Sequence, residues 1–97
     1  MAGYLIANLD IHDPAKFDEY RRKVEPILAR FGGRYIIRGG DVRHLEGKLP
    51  IHRLVVVEFP TVEAAQRFYD SAEYQPVLKI RLACTTSHVL IAPGYPG

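Results

Sequence analysis

The sequence predicts an α+β fold: one four-stranded antiparallel sheet with helices on one face, in the chain order β-α-β-β-α-β. Three observations predict it. Four runs rich in β-branched and aliphatic residues, "YLIANLDI", "RYIIR", "HRLVVVEF" and "TTSHVLIA", read as strands. Two stretches with apolar residues at steps of three and four stand between the first and second strands and between the third and fourth. No helical pattern separates the second strand from the third. This is the ferredoxin-like split arrangement, in which right-handed crossovers put the first and third strands side by side in the centre.

Each element has a physical start and stop. Asp13-Pro14 opens the first helix, because aspartate caps free amides and proline at the first helical position loses no hydrogen bond. Phe17, Tyr20, Val24, Ile27, Leu28 and Phe31 form its apolar stripe, and Gly32-Gly33 ends it. Pro26 inside this pattern predicts a kink. Gly39-Gly40 closes the second strand, and "GGDVRHLEGKLP" reads as a bulged or extended hairpin with its tip at Glu46-Gly47. Pro60-Thr61 ends the third strand and caps a second helix, with Val62, Ala65, Phe68 and Tyr69 inward. After Asp70-Ser71 the chain turns helical again, with Ser71 as cap and Glu73 near the positive end.

The 97 residues predict a single domain over 1–97, with residues 93–97 a loose tail. A formal charge of +2 is too mild to imply nucleic acid, and Arg21-Arg22-Lys23 is balanced by Asp18, Glu19 and Glu25. Cys84 is the sole cysteine, which rules out an internal disulfide and reads as a small buried hydrophobe. No run approaches the roughly 20 apolar residues of a membrane span, and the start does not resemble a signal peptide. A cytoplasmic location and no membrane partner are the default expectations.

Strand alternation divides each strand between two faces. Leu5, Ala7 and Leu9, then Val55, Val57 and Phe59, then Tyr35 and Ile37, are assigned to the helix-covered face. For the fourth strand, Val89/Ile91 and Leu90/Ala92 serve equally well. The other face then carries Tyr4, Ile6, Ile36, Leu54 and Val56 around Asn8, Arg38 and Glu58. It is about half aliphatic, where a wetted face would be mostly polar. Burying four such side chains is worth about 6–12 kcal/mol, and a second copy across a two-fold axis is the economical cover.

Such a homodimer encloses a small-molecule site with aliphatic walls and few polar groups. Asn8 and Glu58, judged to lie at similar depths, face it together with Arg38. The competing reading pairs Glu58 with Arg34 or Arg38 across the hairpin. Tyr74 and Arg81, on the helical piece after Ser71, lean over the mouth, a flat amphipathic ring beside a planar fork for a carboxylate. Their competing reading has Tyr74 plugging the core edge and Arg81 paired with Glu73 or Asp70.

The stretches "GGRYIIRGGDVRHLEG" and "VVVEFPTVEAAQRFYDSAEYQPVLKIRL", with "YLIANLDIHDPAKFDEY", resemble the domain of unknown function 1330 family over nearly the whole chain. Its most specific pieces here are Phe59-Pro60, the run from Tyr69 to Tyr74, and Arg81. The resemblance implies a ferredoxin-like fold of the dimeric α/β-barrel kind and little about activity. Relatives by fold include cofactor-free monooxygenases, muconolactone isomerase-like enzymes and haem-handling proteins, an analogy only. Phe68 stands where the family often has tryptophan, and "EGKLPIHR" lacks an acidic-aromatic pair.

No metal, nucleophile or phosphate-loop motif is present. His12, His44, His52 and His88 are scattered, and "DIHD" is explained by a strand end and a helix cap. No cofactor is expected. Two functions remain. One is a cofactor-independent enzyme acting on a small acidic metabolite by proton transfer or oxygenation, with Glu58 as base and Arg38 and Arg81 holding anionic oxygen. The alternative is a non-enzymatic metabolite-binding or interaction dimer using the same cavity.

Overall fold

The structure, a computed structural model, describes residues 1–96. Along the chain run β1 (Gly3–Ile11), α1 (Pro14–Arg30), β2 (Arg34–Arg38), β3 (Arg53–Phe59), α2 (Val62–Asp70), α3 (Gln75–Cys84) and β4 (Thr85–Pro93). The strands form one sheet in the order β2-β3-β1-β4, and every neighbouring pair is antiparallel. β1 and β3 are central, as the crossover rule requires.

The local signals work as the sequence suggests. The Lys16 amide donates to Asp13 Oδ1 (3.2 Å) and the Ala64 amide to Thr61 Oγ1 (3.0 Å), so both helices begin on side-chain caps. At the end of α1 the Gly33 amide reaches Leu28 O (2.9 Å) and the Gly32 amide reaches Ala29 O (3.0 Å). Gly32 has φ +82°, the left-handed geometry that lets this cap close. α1 runs on through Pro26, which has no N–H to offer the carbonyl of Arg22.

Leu5, Ala7, Leu9, Val55, Val57 and Phe59 meet the helices and are buried. β4 resolves its ambiguity by register: Val89 faces Ala7 and Ile91 faces Leu5, so both turn to the core. His88, opposite Asn8, and Leu90, opposite Ile6, turn to the open face. Phe68 is the hub of the helix layer, with ring centroids 4.4 Å from Tyr74, 5.6 Å from Phe59 and 6.2 Å from Phe31.

Three expectations are corrected. The ladder between β2 and β3 shifts at Ile36, so Ile37 faces Val56 and Arg38 faces Val55. One extra residue in a strand reverses the alternation beyond it. Arg38 therefore lies on the helix side, and Ile37 joins the open face. The helical piece after Ser71 is a ten-residue helix, α3, packed chiefly on α1. Ser71 serves the turn before it, accepting the Tyr74 amide (3.2 Å), while the first position of α3 has no side-chain cap. The tail pairs further than expected: β4 includes Pro93, and the Gly94 amide donates to Ala2 O (2.8 Å). Tyr95 beyond it is exposed.

The long connection from Gly39 to His52 has no regular structure and bends at Glu46-Gly47, where the tip was expected. Asn8 holds it to the sheet by donating to Pro50 O (3.0 Å) and accepting from the His52 amide (2.9 Å).

Candidate functional site

The predicted site residues fall on two sides of the sheet. Tyr4, Asn8, Val56 and Glu58 lie on the open face, and Ile36 at the bulge stays exposed. Arg38, Tyr74 and Arg81 line a cavity between the sheet and the helices. Asn8 and Glu58 do not sit at similar depths. β1 and β3 are antiparallel, so Glu58 faces Tyr4 while Asn8 faces Leu54, four residues further along β1. That separates them by about 13 Å.

On the open face Glu58 accepts from Tyr4 Oη (3.0 Å) and from Arg34 Nε (2.8 Å), a row across β1, β3 and β2. The pairing of Glu58 with Arg34 is thus the arrangement found. The Arg34 and Tyr4 hydrogen bonds hold its carboxyl below the usual value of 4.5, which makes it a weak base at neutral pH. A carboxylate depressed in the folded state adds stability above that value and loses it as pH falls through the folded one. Glu58→Gln should therefore lower the neutral plateau by a small amount, as suits a pair at the surface, and so flatten the acid limb of the stability curve below about pH 4.5, where wild type and variant converge. Urea titrations at several pH values will show this; an unchanged acid limb would mean the pair forms no better folded than unfolded.

A groove of about 420 Å³ lies beside this face, between Ile6, Leu54, Leu90 and the segment Leu49–His52. Of its polar residues, Asn8 is already used in holding that segment, Asp10 stands 4.0 Å from His52 Nε2, Thr86 meets His12, and His88 completes the set.

The internal cavity, about 50 Å³, is different in kind. Its floor is Ala7, Leu9, Val55 and Val57, and its helix wall holds Phe17, Tyr20 and Tyr74. Tyr74 is buried in the aromatic cluster, and its hydroxyl meets that of Tyr20 at 2.8 Å. Burial and that neighbouring hydroxyl hold Tyr20 neutral well above its ordinary value of 10.

Among the described residues four arginines line the cavity, Arg21, Arg38, Arg53 and Arg81, and no carboxylate or imidazole does. Two of them are neutralised at its outer edge. Arg21 pairs with Asp18, and Arg38 pairs with Glu25 while lying over the Tyr35 ring at 4.6 Å. The other two have no carboxylate partner among the described residues. Arg81 is only 4% exposed and donates to Ser87 Oγ (2.6 Å). The acids proposed to pair with it are engaged elsewhere: Glu73 with Arg30 and Asp70 with Gln66. A buried cation without a counter-charge is expensive, and such groups concentrate at functional sites.

Sequence reasoning missed Arg53, Arg21, Tyr20 and Tyr35 as cavity residues. Arg53 was within reach, since it continues the inward set Val55, Val57 and Phe59 by one step. Tyr20 belongs to the apolar stripe of α1 and Arg21 stands beside it, and only the packing of α1 and α3 brings them to the same space.

The profile of the domain of unknown function DUF1330 matches residues 2–95. The chain belongs to the DUF1330 family. No curated protein matches it significantly. Among solved structures, this DUF1330 chain is similar to a protein of unknown function from Rhodopseudomonas palustris, at 17% identity and TM-score 0.80, covering 99% of this chain and 84% of that one. It is similar to SnoaB, a cofactor-independent oxygenase from Streptomyces nogalater, at 18% identity and TM-score 0.66, over 99% and 95% of the two chains. A dimeric ferredoxin-like protein of unknown function from Jannaschia sp. CCS1 matches at 14% identity and TM-score 0.64, over 97% and 100%. At these identities the likeness establishes the ferredoxin-like fold. Among the described residues of the DUF1330 chain, no group of three His, Cys, Asp or Glu could hold a metal, and no helix is long and apolar enough to cross a membrane.

Proposed function

We propose that this DUF1330 protein is a cofactor-independent enzyme that binds a small organic acid between its sheet and helices and promotes proton transfer or oxygenation there. Arg81 carries this reading. Its guanidinium is buried, lacks a counter-charge among the described residues and stands among aromatic rings, so a planar carboxylate, enolate or phenolate completes the site.

In so apolar a space a fixed guanidinium stabilises an oxyanion far more than it does in water. It lowers the pKa of a bound phenol or enolisable carbonyl compound, which favours loss of the substrate's proton. Where oxygenation follows, the carbanion form adds dioxygen, and the resulting hydroperoxide loses water to leave a carbonyl group. Dioxygen is then the only oxidant required. Likeness to SnoaB supports oxygenation by analogy of fold.

The homodimer forms through the open sheet faces in this reading. Leu90, Ile36 and Ile37 are 54%, 44% and 42% exposed there, and the Jannaschia neighbour is described as dimeric. The second sheet covers the 420 Å³ groove. A binding dimer without catalysis is the second reading, favoured by the lack of a carboxylate or imidazole on the cavity wall.

Native mass spectrometry of freshly purified protein, under gentle and then denaturing conditions, tests this. The expected result is a dimer that releases a small acid, and that acid returned to stripped protein in an oxygen electrode is consumed or rearranged. An acid that comes back unchanged favours the binding dimer. A monomer overturns the assembly, and failure to bind any member of a panel of small aromatic and aliphatic acids overturns the site.

A further inference from the structure

Resting on the reading of the cavity as an organic-acid site, we infer that its ligand carries two acidic groups on a body about the size of one ring, gripped at one end by Arg81 and at the other by Arg53. Register supplies the geometry. Leu9 faces Arg53 on β3 and Ser87 on β4, so Arg53, Leu9 and Ser87 form one row across the helix face of the sheet. Arg81 donates to Ser87 Oγ. The two guanidinium groups thus belong to the same end of the sheet, their anchor points two strand spacings, about 10 Å, apart. Between them lies the buried side chain of Leu9.

Arg53, like Arg81, has no counter-charge among the described residues, and it is less well hydrogen-bonded. Its Nε is buried and has no hydrogen-bond partner, and no ion pair claims it among the described residues. Its neighbours are the Phe17 ring, 5.7 Å below the guanidinium, and the backbone of Gly39. A Cβ on Gly39 would stand 3.0 Å from Arg53 Cζ, and Gly39 has φ +83°, so glycine at this strand end both makes the turn and leaves room for the fork. A buried N–H without an acceptor costs stability unless a ligand supplies one.

Arg53 also lines a second, more open space on its other side. This hollow of about 340 Å³, bounded by Ile11, Pro14 and Asp18, shares Phe17, Arg21 and Arg53 with the cavity. The inner cavity has room for a few waters. A ligand with one acid at Arg81 therefore extends its body past Leu9 and Phe17 toward this hollow and leaves its second acid at Arg53. Arg21 and Arg38, each already paired with a carboxylate, contribute less.

The test is isothermal titration of the full-length protein with benzoate and with terephthalate, a mono- and a diacid on the same ring. Terephthalate should bind on the order of tenfold tighter or better, as a charge-assisted hydrogen-bonded pair implies. Arg53→Gln should remove that preference while changing benzoate affinity by about twofold at most. Benzoate binding also reports that the variant is folded. Should Arg53→Gln not fold, Arg53→Lys keeps the charge but loses the fork and Nε, and should lose most of the preference. Equal binding of the two acids to the wild type, or a proportional loss of both on substitution, overturns the two-ended site and leaves the organic-acid cavity standing. Binding of neither overturns the cavity reading and this inference with it.

Discussion

Arg81→Met is expected to make the protein more stable and to abolish binding of organic acids. Arg81 is buried with one hydroxyl partner and no counter-charge among the described residues, so the folded state carries the cost of desolvating a cation. Methionine matches the length of the stem, suits an interior helical position and has no charge to desolvate. Ser87 does not become an orphan, because the Thr85 hydroxyl still meets it at 2.9 Å. Replacing a buried ionic group by an apolar one of similar shape is worth about 1–4 kcal/mol where packing is kept. At this chain length each kcal/mol moves the melting temperature by about 4–8 °C. The same change deletes the fork that holds the anion, so affinity for a small acid should fall at least about tenfold. Calorimetric melting and acid titration on one preparation check both halves. A fall in melting temperature of several degrees would mean that Arg81 anchors the fold, and unaltered acid binding would remove it from the site.

Phe68→Ala carries the largest expected loss of stability. Its ring is buried at the junction of β3, α1, α2 and the turn into α3, against Phe59, Phe31 and Tyr74. Truncation to alanine removes transfer energy and leaves a cavity among rings that collapse poorly, at a cost of about 3–5 kcal/mol. A domain of ordinary stability has about 5–15 kcal/mol in all, so urea unfolding should show about a fifth or more of it gone. The Tyr74 ring also loses the face it rests on at 4.4 Å, which loosens the Tyr20–Tyr74 hydroxyl pair beside Arg81. Phe68→Leu, which keeps more of the volume, should retain most of the stability. A loss below about 1 kcal/mol for the alanine variant would contradict the packing of this cluster.

Much of the fold was legible because its signals are local. Asp13-Pro14 and Thr61 start helices through their own side chains, Gly32-Gly33 ends one by its backbone freedom, and the inward sets of β1 and β3 follow from strict alternation. The element order β-α-β-β-α-β then leaves one economical sheet, and the chain adopts it. Arg81 and Tyr74 were marked as site residues from their chemistry, and the structure brings both to one cavity with Arg38.

What alternation could not supply was parity after an irregularity. The extra residue at Ile36 carries no strong mark in "RYIIR", yet it moves Arg38 from one face to the other and Ile37 in the opposite sense. Relative depth also needs the register: Asn8 and Glu58 each stand toward the end of their strand, but the strands run antiparallel, so the two lie toward opposite ends of the sheet. The sequence by itself determined the strands, the helix caps, the central pair and the residue types able to hold an anion. Only the tertiary structure decided which of those residues share one side of the sheet and one cavity. That placement depends on one bulge, on the length of α3, and on a register that sets Arg53 and Ser87, the partner of Arg81, on either side of Leu9, with no acid paired to either arginine among the described residues. These are long-range facts of packing that no window of sequence contains.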